Sequence, residues 1–148
     1  MKQEELDKTL QEIRHSFMVY RNGMVADALR KSNYPYTLIY GLQLPQLSTI
    51  AKGYKKDLDL AHSLWNDTET RESRLLAAYL FPENEIKIET VFDLLKSLKT
   101  KEEAEILSFR LLRFLPFAVD LSSEFENGNN ENELATYCLQ LLKRSLGD

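Results

Sequence analysis

The stretch Tyr40–Lys52 reads YGLQLPQLSTIAK. Gly41 can take backbone angles that other residues resist, and Pro45 suits the first turn of a helix, where its missing N–H removes no hydrogen bond. The stretch therefore reads as a chain reversal feeding a helix over about 45–53, with Leu47, Ile50 and Ala51 turned inward and Gly53 as the stop. A sharp link followed at once by an amphipathic helix is the rhythm to look for in the rest of the chain.

Toward the N-terminus, Leu6, Leu10, Ile13 and Phe17 are spaced four, three and four apart, one apolar stripe on a helix over 2–20. Gly23 is expected to stop or bend it, and a short helix over 24–31 offers Met24, Val25, Ala28 and Leu29. Tyr34, Tyr36 and Tyr40, together with Pro35, break the period and predict an ordered loop packed down by its rings, or a contact surface. Toward the C-terminus, Asp57 stands at the positive end of a helix that turns Leu60, Ala61, Leu64 and Trp65 inward. Thr68 is expected to cap the next helix, which must end before Pro82. Val91, Leu94, Leu95 and Leu98 mark another over 87–98. Thr100 and Glu103 form a capping box that opens a helix to about Phe114, near Pro116. FAVDLSSEF is a short helix, ENGNNEN a solvated loop, and 131–146 a final helix with Lys143 and Arg144 near its negative end and Gly147 beyond. No segment alternates like a strand between hairpin turns. The expected fold is all-α: antiparallel helical pairs stacked as a short α-solenoid in a single domain, 1–148, with 44–65 and 68–98 as units of about 30 residues.

A chain of 148 residues can bury a core without disulfides or metals. With 43% hydrophobic and 28% charged residues it has no apolar run near the roughly 20 needed to cross a bilayer. The opening MKQEELDKTL has no export signal, so the cytoplasm is expected. A net charge of −4 is the wrong sign for a protein that grips phosphates along its whole surface, so any nucleic-acid contact has to come from a local basic stripe. Cys138 has no thiol partner for a disulfide or zinc site and reads as a core side chain. His15 and His62 have no second ligand at metal spacing and read as structural or exposed. With no glycine-rich phosphate loop and no Ser/His/Asp grouping, neither cofactor nor metal is expected.

The segment from Tyr40 to Leu80 resembles the first half of the DNA alkylation repair glycosylases built from HEAT-like repeats, and the likeness extends over roughly 40–110. The residues that carry it are Gly41, Leu42 and Pro45 in the bend, then Leu47, Ile50, Ala51 and Lys52, then the Leu64–Trp65 pair, and then Arg71, Glu72 and Arg74 followed by Leu75 and Ala77. The resemblance implies a HEAT-like arrangement of helical pairs. It also implies a chemistry: excision of positively charged alkylated purines held near two Trp faces and an Asp, since an indole face attracts a cation and a carboxylate stabilises the sugar as the bond breaks. Aligned on Lys99, Thr100 and Lys101, the family's Trp position falls at Ala104 and its Asp position at Ser108, side chains that cannot do this work. Glu105 is the nearest acid, and Trp65 is the only Trp.

The expectation is thus a diverged relative without catalysis, a binding module for duplex DNA or for a protein. The alternatives are an active glycosylase using Glu105 and a protein scaffold with no nucleic acid. The candidate phosphate contacts are Arg71 and Arg74, one helical turn apart, Arg110 and Arg113 at the same spacing, and Lys52 and Lys55 in the densest basic patch. The competing reading pairs these arginines with Glu69, Glu72 or Glu105 on solvated helix faces.

Overall fold

The computed structural model of this protein describes residues 1–126 and 132–147. Among them are nine α-helices and no strand, so the fold is all-α. Two compact units, Met1–Phe81 and Pro82–Asp148, divide the chain. The loop expected over 126–132 lies, for 127–131, outside the described residues.

The first unit holds α1 (Gln3–Tyr20), α2 (Gly23–Lys31), α3 (Leu44–Ala51), α4 (Leu58–Trp65) and α5 (Arg71–Leu80). The stripe of α1 buries Leu6, Ile13 and Phe17 as its spacing requires. Gly23 does not stop a helix; it opens α2, because the Asn22 side chain accepts the Met24 and Val25 amides and caps it. Asp57 caps α4 through the Leu60 amide. Helix α5 begins at Arg71 after Thr70, two residues beyond the expected cap at Thr68. The reason lies elsewhere in the chain: the 32–43 segment docks on it, with Leu38 N–H donating to the Glu69 carbonyl (2.8 Å) and Leu38 C=O accepting the Arg71 amide (3.1 Å). The backbone of Leu38 thus takes up a donor that a capping side chain would otherwise satisfy. Helix α5 is the axis of the unit. It packs on α4 and α3, and all its residues but Tyr79 are buried, polar ones included.

The second unit holds α6 (Ile88–Lys96), α7 (Lys101–Arg110), a 3-10 turn (Leu112–Phe114), α8 (Ala118–Glu126) and α9 (Glu133–Ser145). Helix α9 buries Ala135, Cys138, Leu139 and Leu142 against α7, α8 and α6. The capping box of α7 forms: Thr100 Oγ1 accepts the Glu103 amide at 3.1 Å, and the Glu103 carboxylate reaches back to the Lys99 amide at 2.9 Å and to that of Thr100. The helix stops at Arg110, four residues short of the expected Phe114. Leu111 leaves helical geometry at φ −127°, ψ −63°, which lets both Leu111 and Leu112 enter the core.

Candidate functional site

The bend of the opening stretch is held by the Arg-Glu-x-Arg run of α5. Fully buried Glu72 accepts three consecutive backbone amides, Tyr40 and Gly41 at 3.0 Å and Leu42 at 3.3 Å, and pairs with Arg71. Arg71 also donates to the Leu42 carbonyl at 3.0 Å. Three successive N–H groups turned to one carboxylate form a nest that only an anion fills well. Gly41 makes it possible. Its φ is +84°, and an added Cβ would fall on the Asn22 carbonyl and 3.0 Å from the Ala26 amide nitrogen, so neither the angle nor the space admits a side chain. Arg74 completes the arrangement: its guanidinium lies 3.9 Å from the Trp65 ring centroid and donates to the Trp65 carbonyl at 2.8 Å. Burial pushes Arg74 down to about 10, with Asp67 opposing.

These positions revise the candidate set. Arg71 is 4% exposed and Arg74 1%, so neither guanidinium can meet a phosphate. The pairing of Arg71 with Glu72 anticipated on a solvated face is real but lies inside the unit. Trp65, 2% exposed beneath Arg74, is a core residue. Tyr36 is buried with Ala26 and Ile39, and Tyr34 packs against them, so this loop is held down by its rings. His62 meets the Phe81 ring edge-on at 5.1 Å, and His15 is exposed on α1.

On α7, Ala104 and Ser108 are both 0% exposed. They lie in the helix that packs most extensively on α9, and the Cys138 sulfur of α9 sits against the Ser108 backbone. Burial pushes that thiol up to about 12, so it is inert near neutral pH. Glu105 is exposed on α7 and hydrogen-bonded by the Tyr137 hydroxyl of α9. Glu103 is the buried acid of this helix, 1% exposed, and burial raises it to about 7 against the pull of the Lys99 and Thr100 amides. The sequence marked Glu103 as a cap and gave no sign of its burial.

The remaining cations face outward. Lys52 and Lys55 are exposed in the first unit, where half-buried Asp57 and exposed Asp59 follow them. In the second, Arg110 ends α7 and Arg113 lies in the 3-10 turn, both exposed. Arg113 stands 4.6 Å over the ring of Phe114, which is 51% exposed, and Phe109 is 42% exposed. Sequence reasoning missed these two rings; the signal is the alternation of Leu107–Ser108 and Leu111–Leu112 with the Phe/Arg pairs 109–110 and 113–114. Among the described residues no group of acids, histidines and cysteines could hold a metal, and no helix is long and apolar enough to cross a membrane.

A family model for DNA alkylation repair enzymes matches residues 25–106, from α2 into α7, more than half of the chain. This protein belongs to that family. No curated protein and no solved structure matches it. The matched span contains the Gly41 bend, Trp65 and the Arg71–Arg74 run, the parts that interlock in the first unit.

Proposed function

We propose that this protein is a non-catalytic member of the family, a helical-repeat module that binds nucleic acid through exposed cations, with Arg110 and Arg113 in the second unit as the main contacts and Lys52 and Lys55 as contacts of the first. The observation that carries this reading is the state of α7. The two positions where the resemblance puts a stacking ring and a carboxylate hold a methyl and a hydroxyl, both shut off from solvent in a helix packed on α9. A lesion has no indole to lie against there, since Trp65 is sealed under Arg74. The exposed acid nearby, Glu105, is engaged by Tyr137. Loss of the reacting groups leaves the fold able to bind, because stacked helical pairs offer surface that their core does not consume. The phosphate reading rests on the stretch Ile106–Val119, which carries two arginines and no acid in a chain of net charge −4.

Two measurements test it. Methylated duplex DNA incubated with the protein is expected to release no base; release abolished by Glu105→Gln overturns the non-catalytic reading. Binding to unmodified oligonucleotides is expected at low salt and should weaken steeply as salt rises, since phosphate contacts release counterions. Absence of binding at both salts overturns the nucleic-acid reading and leaves a protein partner.

A further inference from the structure

From Leu107 to Phe114 the chain alternates two buried residues with two exposed ones. Leu107 and Ser108 are buried, Phe109 and Arg110 exposed, Leu111 and Leu112 buried, Arg113 and Phe114 exposed. Phe109 and Arg110 close α7, and Arg113 and Phe114 lie in the 3-10 turn that follows at once, so both rings and both guanidiniums of this short segment are turned outward. The buried residues account for the core of this segment, and the exposed four are surplus to it. Arg110 also suits the negative end of α7, but Arg113 lies past that end, so the helix dipole does not explain it. Phe114 is no concealed core residue either: half of it is open, and the guanidinium laid 4.6 Å over it turns ring and cation into the first two layers of a stack.

Resting on the nucleic-acid reading above, we infer that this face binds single-stranded nucleic acid, with unpaired bases stacking on Phe109, Phe114 and the Arg113 guanidinium while Arg110 and Arg113 meet the adjoining phosphates. A duplex keeps its base faces buried in its own stack and can offer the arginines only its backbone. A single strand offers base faces as well as phosphates, and this surface presents rings as well as cations. The acid-free stretch 106–119 supplies the matching sign, and the exposed Asp120 bounds it. Sequence tolerance follows from the same chemistry, since every base has a stacking face and no amide or carboxylate in 106–119 is available to read base edges.

The test uses the full chain with fluorescent oligothymidylate and a mixed-sequence duplex of equal length, read by anisotropy at low salt. The single strand is expected to bind at least about fivefold tighter than the duplex. Phe114→Ala and Phe109→Ala should each weaken single-strand binding about tenfold or more and leave duplex binding unchanged, whereas Arg113→Ala should weaken both. Helical content by circular dichroism checks each variant's fold; the exposure of these side chains predicts no change. Equal affinity for strand and duplex with no effect of the Phe substitutions overturns this inference and leaves phosphate binding standing. No binding to either form overturns both and points to a protein on this face.

Discussion

Arg71-x-x-Arg74 and Arg110-x-x-Arg113 have the same spacing and opposite fates. The first pair is inside the first unit, the second on the surface of its own. What decides is the company each pair keeps. Around α5 the chain supplies acceptors that no solvent reaches: the Glu72 carboxylate, the Leu42 carbonyl, and the Trp65 carbonyl beneath an indole face. A guanidinium with its hydrogen bonds satisfied can be buried, and Arg is the cation suited to it because its fork meets several acceptors at fixed angles. At the end of α7 the residues between the arginines are Leu111 and Leu112, which take the inward positions and leave the charges outside. Identical charge patterns thus serve as an internal clamp in one unit and as an exposed pair in the other.

The sharpest way to break this contrast is to remove one partner from each pair. Arg71→Ala strips the counter-charge from a fully buried carboxylate and should cost about 3–5 kcal/mol in urea unfolding, against less than about 0.5 kcal/mol for Arg113→Ala. Comparable losses at the two sites would show that burial is not what separates them. A second measurement carries the comparison to the acids. Glu103 is raised from 4.5 to about 7 by burial, so the folded state holds its proton more tightly than the unfolded one. Its contribution is fully present below about pH 4.5 and is lost as pH rises through about 7. Stability should therefore fall between pH 5 and pH 8 by an amount on the order of 1–3 kcal/mol that Glu103→Gln abolishes. A pH profile unchanged by that substitution would place the carboxyl in water.

Smaller effects sharpen the picture at α7. Ser108 Oγ is buried with no hydrogen-bond partner among the described residues. Ser108→Ala should be neutral or stabilise by about 0.5–1 kcal/mol in thermal unfolding and leave nucleic-acid binding unchanged, because the hydroxyl now bears only a desolvation cost. A loss of stability would mean that the hydroxyl is in fact satisfied. Smallest in stability but visible in binding, Arg113→Ala should lower the slope of log affinity against log salt by about 0.7–0.9, the signature of one phosphate contact removed.

The apolar stripes of α1, α4 and α6 and the Thr100 cap were legible because each depends on residues within a turn or two of one another. The same holds for the all-α class and for the likeness that runs from Gly41 to Ala77. What local spacing did not reveal depends on residues far apart in the chain. Thr68 looks like a cap by sequence, but α5 starts after Thr70 because Leu38 provides the acceptor. Arg71 and Arg74 look like surface cations, since a charged pair one turn apart usually is; their burial rests on a loop thirty residues upstream and on Trp65. Phe109 and Phe114 stand among leucines, and neither ring by itself signals exposure; they face outward because Leu107, Leu111 and Leu112 take the inward positions.

The carboxylate of Glu72 joins amides 30 to 32 positions earlier in the chain, so neither the bend nor α5 can satisfy its polar groups alone. A backbone cut in the link between α3 and α4 would give two fragments, one with three orphaned amide donors and one whose Glu72 carboxylate keeps only Arg71. The parts of the first unit on either side of the cut should lose their structure when separated and regain it only on mixing, which makes this segment a natural seam for a split reporter.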